Sequence, residues 1–100
     1  LAPVQARVAT INDSHDSYAR DVLRRLGDAG FRVDGDLANA KVGAKIREAR
    51  LQRIPYVLVV GDREVEEGKL AVRERPDKNL GSMTVEEVSS LFTDQENNKR

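Results

Sequence analysis

Five consecutive apolar residues, YVLVV at 56–60, stand between Pro55 and the Gly61-Asp62 pair, and no other stretch limits the possible folds so tightly. A run that is apolar on both faces of the pleat predicts a central strand covered by helices on either side. Proline suits the first place of such a strand, where its missing N–H does least harm. Upstream, residues 41–53 predict an amphipathic helix that buries Val42, Ile46 and Ala49. That helix must stop before Pro55, because the residue preceding a proline is pushed out of helical conformation. Downstream, Gly61-Asp62 turns the chain, 63–67 predicts one helical turn, and Leu70 and Val72 alternate with Lys69, Ala71 and Arg73 in a half-covered strand. The short 61–68 connection predicts that this fourth strand runs antiparallel to the third.

The flanks supply the remaining elements. Residues 4–11 carry Val4, Ala6 and Val8 at period two and predict a strand. Asp13 or Ser14 can cap a following helix, whose apolar stripe is Tyr18, Val22, Leu23 and Leu26 and whose end falls at Gly30. Residues 31–34 form a short second strand, so strand, helix and strand make a βαβ unit. A loop over 35–39 offers Asp36 or Asn39 as the cap of the basic helix. Turn chemistry at 75–79 predicts a return into an edge strand near 79–82. Thr84 with Glu87 three residues on is a capping box, and Val85, Val88, Leu91 and Phe92 give the last helix its apolar face. The residues from 93 to 100 are polar and aperiodic, so one domain over 1–92 and a polar flexible tail over 93–100 are expected. Strand-like sequence close behind Leu1 implies a piece of a longer polypeptide.

At 100 residues one core is the limit, and 39% hydrophobic against 34% charged residues is a soluble globular balance. Cysteine is absent, which excludes disulfides and thiolate metal sites. No apolar run approaches the roughly 20 residues that a membrane span needs. The seventeen basic and seventeen acidic residues cancel, yet Lys41, Lys45, Arg47, Arg50 and Arg53 lie against Glu48 alone, a local cationic surplus able to meet phosphates. Catalytic chemistry is not evident. Ser14-His15-Asp16 holds the residue types of a hydrolase triad, but neighbours in a helical turn point in different directions. His15 therefore reads as a solvated side chain near a helix start. Asp62, Glu64, Glu66 and Glu67 lack the spacing of a calcium loop, and neither a dinucleotide fingerprint nor a Walker loop occurs.

What remains is a set of polar side chains near strand ends: Asn39 at the start of the basic helix, Arg53 at its end, Glu64 after the central strand and Arg73 on the next one. Open α/β sheets bind ligands beyond the carboxyl ends of their parallel strands, and a single shared rim for these residues is the expectation. A guanidinium can donate to guanine O6 and N7, a carboxylate can accept from guanine N1 and N2, and a carboxamide can pair with uracil. Ordinary surface salt bridges are the alternative.

The run GAKIREARLQRIPYVLVVGDREVEEGKLAVRER, with LAPVQ before it and LGSMTVEEV after it, resembles the C-terminal anticodon-binding domains of bacterial-type threonyl-tRNA synthetases, class II aminoacyl-tRNA synthetases. The resemblance extends from Leu1 to about Phe92. It implies a three-layer α/β/α fold on a mixed five-stranded sheet in the order 2-1-3-4-5 with strand 4 antiparallel. It also implies recognition of the second and third anticodon bases, guanine and uracil, with Asn39, Arg53, Glu64 and Arg73 as base contacts and Lys41 and Lys45 as backbone contacts. Where that family often has Leu-Arg-Asn-Glu-Lys, this chain has Leu37-Ala38-Asn39-Ala40-Lys41. The implied partner is the anticodon stem-loop of threonine tRNA. The domain itself would be no enzyme and hold no cofactor. A cytoplasmic, homodimeric parent ligase would keep ATP, magnesium and zinc in a separate catalytic domain, and the isolated domain would be a monomer. Other readings are the anticodon domain of a prolyl-, glycyl- or histidyl-tRNA synthetase, a free-standing tRNA-binding module, and, least favoured, a flavodoxin-like small-molecule binder.

Overall fold

In a computed structural model, residues 4–37, 40–74 and 78–97 of the chain are described. The chain opens in β1 (Ala6–Thr10), all five residues of which are buried. A 3-10 turn at Asp13–His15 leads into α1 (Asp16–Asp28). The sequence offered Asp13 or Ser14 as the cap, whereas Asn12 takes that place, its Oδ1 accepting from the Ser14 N–H at 2.9 Å. Strand β2 (Val33–Asp36) starts and ends two residues later than the apolar pattern implied, because it pairs in parallel with β1 from Ala6↔Val33 to Ala9↔Asp36. Sheet hydrogen bonding here overrides the weak strand preference of Gly35 and Asp36. Asp36 is thereby consumed by the strand and cannot cap α2 (Val42–Leu51), whose N-cap position is Lys41. The other expected cap, Asn39, lies outside the described residues.

The apolar run forms β3 (Tyr56–Val60), parallel to β1. Helix α3 (Asp62–Glu67) begins directly after Gly61, and Gly68, at φ 70°, reverses the chain into β4 (Lys69–Glu74). Strand β4 is antiparallel to β3, as the short connection predicted, and β5 (Lys78–Thr84) is antiparallel to β4. The sheet order is β2-β1-β3-β4-β5, the expected one. A bulge interrupts the β4–β5 ladder after Val72, so that Leu80 has no opposite number. Gly81, at φ 84°, supplies the left-handed residue such a bulge uses.

Helix α4 (Val85–Asn97) starts at the capping box read from the sequence. Thr84 N–H donates to Glu87 Oε1 at 2.9 Å, and Glu87 N–H donates to Thr84 Oγ1 at 3.1 Å. The helix runs on past Phe92 through Asn97, where a polar tail was expected from residue 93. Backbone hydrogen bonding continues although the apolar stripe has ended, in a segment containing the good helix formers Gln95 and Glu96.

Two clusters fill the layers. On one face, Ala6, Val8, Leu58, Val60, Leu70 and Val72 meet α1 and α4 through Val22, Leu26, Val88 and Phe92. The Phe92 ring packs edge-on against Phe31 with centroids 5.4 Å apart, and against Tyr56 at 5.0 Å. On the other face, Ala9, Val57 and Ile54 meet Ala49 of α2, with Val42 and Ile46 at the margin. Leu58 and Phe92, at most 1% exposed, contribute about 1.5–3 kcal/mol each by burial alone.

Candidate nucleic-acid interface

Helix α2 packs chiefly on β1 and β3, and the alternation along the strands shows what it leaves open. Residues opposite one another in a ladder point to the same face. Ala71 pairs with Val59 and Arg73 with Val57, so both project to the α2 side, beyond the edge of that helix. Ala71, Arg73 and Lys69 are half-buried and Ser82, opposite Ala71, is exposed. One row crosses the whole sheet on this face: Asp34, Arg7, Val57, Arg73 and Asn79. The β1–β3 pair is thus covered on both faces, while on the α2 side the antiparallel half is half-buried or exposed.

The expected site residues do not share one rim. Glu64 is at the carboxyl end of β3, where its Oε1 accepts from the Gly61 N–H at 2.8 Å. A Cβ at Gly61 would lie 2.5 Å from Ile11 Cδ1 and 3.0 Å from that same Oε1, so glycine keeps the space in which Glu64 folds back. Arg73 is elsewhere. An antiparallel β4 starts with Lys69 at the carboxyl end of β3 and carries Arg73 back to the level of Val57, near the amino end. Three residues of strand, about 10 Å, separate that level from Val60. The strand direction inferred from the sequence was right, and its consequence was drawn for the wrong end of the strand. Arg53, in the turn that precedes β3, shares the amino end with Arg73. Asn39 falls outside the described residues.

Arg53 adopts φ 60°, the one described non-glycine residue at positive φ. It occupies the position after the C-cap Gln52, with Arg53 N–H donating to Arg50 O and Ile54 N–H to Ala49 O, both at 3.0 Å. This is the Schellman arrangement, in which glycine is the usual residue. The accompanying apolar contact is present too, since Ile54 and Ala49 share a buried cluster. Side chains other than glycine's lose roughly 1–2 kcal/mol in that conformation.

The two lysines expected on the RNA backbone part company. Lys41 is exposed at the start of α2. Lys45 is 2% exposed, and its ammonium donates to Thr10 O at 2.9 Å and to Thr10 Oγ1 at 3.1 Å. Its stem lies on the inward side of α2 one turn before Ala49, so it closes the β1 end rather than meeting phosphates. Arg47 and Arg50 hold exposed positions on the same helix. His15, expected in solvent, is 3% exposed. Its Nδ1 accepts from the Asn12 N–H at 3.4 Å, so Nε2 carries the proton and donates to Asp62 Oδ1 at 2.6 Å. That bond ties the start of α1 to the start of α3 and so to the element bearing Glu64.

Two further groups matter that the sequence did not single out. Arg7 forks onto Asp34, Nε to Oδ1 at 2.8 Å and Nη2 to Oδ2 at 2.9 Å, and Nη2 also donates to Gln52 Oε1 at 2.9 Å. Hydrogen bonding to Asp34 holds the guanidinium above even its usual range. A charged residue inside an otherwise apolar strand was the available signal. Tyr56 OH donates to Glu74 Oε2 at 3.1 Å at the amino end of β3. Burial first, then the Glu74 charge, push its phenol up to about 12.

Helices thus flank a mixed five-stranded sheet, with Arg73 half-buried on the α2 side of its antiparallel half and Glu64 at the carboxyl end of β3. Residues 5–95 match the model of the anticodon binding domain family, and the chain belongs to that family. Its sequence is 54% identical over 91 residues to the threonine--tRNA ligase of Symbiobacterium thermophilum, covering 91% of this chain and 14% of that protein. The chain therefore spans about a seventh of the length of this curated relative. The RNA binding domain of threonyl-tRNA synthetase from Cryptosporidium parvum Iowa II superimposes with a TM-score of 0.86 at 33% identity, over 93% of this chain and 24% of that one. Prolyl-tRNA synthetase from Cryptosporidium parvum, complexed with halofuginone and AMPPNP, gives 0.82 at 23% identity over 93% and 20%, a likeness of fold.

Proposed function

We propose that this domain reads the anticodon of threonine tRNA for a threonine--tRNA ligase, recognising the guanine and uracil at its second and third positions. The observation that carries the reading is the half-exposed Arg73, in register with Val57 on the open half-face, at the same strand end as Arg53. Anticodon-loop bases are unpaired and can present their hydrogen-bonding edges, which is how proteins read RNA sequence. Arg73 donates to guanine O6 and N7, and Glu64 accepts from N1 and N2 on the far edge of the same base. The stretch of β3 between them suits this, because a long guanidinium side chain and a carboxylate can close on a base from opposite sides. Arg53 and Asn39 take the uracil. Phosphates meet Lys41 and the exposed arginines of α2, which gives affinity that falls with salt and carries no sequence preference.

Aminoacylation, with its ATP, magnesium and zinc, belongs to a separate catalytic domain of a homodimeric cytoplasmic parent, and the domain alone is a monomer. Among the described residues no three His, Cys, Asp or Glu side chains stand together to hold a metal, and no helix is long and apolar enough to cross a membrane.

The test is Arg73→Ala, titrated with two stem-loops: the threonine anticodon and one with its guanine replaced. The variant is expected to lose about tenfold or more for the first, on the order of 1–3 kcal/mol, and little for the second. Equal losses for both RNAs reject base reading at this position.

A further inference from the structure

We infer that Arg7 and Gln52 are positioning residues for Arg53, a clamp that aims its guanidinium at the RNA without touching the ligand. The inference rests on the proposed role of Arg53 as a base contact. Its own basis is the chain of bonds that ends at the Arg53 turn. Arg7 is buried in β1, and its guanidinium is fixed in plane by the bidentate Asp34 carboxylate on β2. From that anchor Nη2 reaches Gln52 Oε1 at 2.9 Å, and the Gln52 amide in turn donates to Glu48 Oε2 at 2.9 Å. Gln52 is the C-cap of α2 and the immediate neighbour of Arg53.

A clamp is needed at this place for a physical reason. An arginine at φ 60° sits in a conformation its own backbone disfavours, and such residues persist only where their surroundings over-determine them. The backbone bonds from Arg53 and Ile54 close the turn. Gln52, held from both sides, stops the cap from rotating, and this fixes the direction in which the next Cα–Cβ bond leaves the chain. Without the clamp the strained turn is populated less, and completing it falls on RNA binding. An ordering cost of this kind lowers affinity by a factor of about three to ten. Arg7 also lies in the cross-strand row of Val57 and Arg73, so a single anchor serves the end of the strand where both arginines stand.

The experiment is a double-mutant cycle on the 100-residue chain with the threonine anticodon stem-loop, measuring Kd for Gln52→Ala, Arg53→Ala and the pair, each checked for an unchanged circular dichroism spectrum. Gln52 is exposed, so its truncation leaves the core intact, whereas Arg7→Leu places an unpaired Asp34 beside it and serves as the harsher second variant. The expected result is a loss of about three- to tenfold for Gln52→Ala alone and no further loss when it is added to Arg53→Ala. A general loosening of the domain would weaken both backgrounds alike, and that outcome overturns the inference, as does full affinity for Gln52→Ala. Unchanged affinity for Arg53→Ala overturns the base-contact role itself and the clamp with it.

Discussion

Helices α1 and α2 end on the same hydrogen bonds and on different residues. At α1, Phe31 N–H reaches Leu26 O at 3.1 Å and Gly30 N–H reaches Gly27 O at 3.0 Å, with Gly30 at φ 95°. At α2 the pattern repeats through Ile54, Ala49, Arg53 and Arg50, with an arginine at φ 60° where the first helix has glycine. The first helix took the residue its backbone prefers. The second took one its backbone disfavours, at the strand end where Arg73 also stands, and the proposed base contact of Arg53 would account for that choice. A strained backbone of this kind is a reason to ask what the side chain does.

The largest effect expected within this comparison is on RNA binding. Arg53→Gly should weaken the cognate stem-loop by about tenfold or more, by analogy with other polar base contacts. Next comes Gly30→Ala, which should cost roughly 1–2 kcal/mol in urea denaturation. No atom lies within 4 Å of a Cβ built there, so the loss is conformational and RNA affinity should stay unchanged. Smaller, and opposite in sign, Arg53→Gly should raise stability by about 0.5–1 kcal/mol, the relief of strain being partly offset by the freer unfolded chain. A variant that is more stable and binds worse separates function from folding at this residue. A loss of stability there would show that arginine is held for the fold.

The smallest effect concerns pH at the same strand end. Tyr56 keeps its proton in the folded state up to about 12, because burial and Glu74 oppose its ionisation, while an unfolded tyrosine loses its proton near 10. Its contribution is complete below pH 10 and is lost as pH rises from 10 to 12. The decline of Tm across that interval should therefore be shallower in Tyr56→Phe than in the parent chain, and an identical decline would contradict the assignment.

How far the sequence reveals this depends on whether a feature is periodic. The apolar run at 56–60, the Thr84–Glu87 box and the short 61–68 connection each carry a local rule, and the last was enough to give the antiparallel β4, whereas the sheet order was implied by the family resemblance. The position of Arg73 needed one more step, the register of β4 on β3, which no local pattern encodes. Lys45 was expected on the RNA backbone and His15 in solvent, because their residue types are usually exposed. Each is buried on a partner distant in the chain, Thr10 and Asp62 respectively. Arg7 and Gln52 are 45 residues apart and meet only because β1 lies beneath the end of α2. Asn39, named as a polar residue at the start of the basic helix and again by the family resemblance, lies outside the described residues.

The central claim is that RNA lies on the uncovered half-face beside α2, and an amide NMR titration of the chain with the threonine anticodon stem-loop addresses it most directly. The account predicts that the largest shifts fall on Arg53, Glu64, Ala71, Arg73 and Ser82, while Val22, Leu26 and Val88 on the α1–α4 side stay where they are. Shifts concentrated on α1 and α4, with Ala71 and Arg73 unmoved, would contradict it.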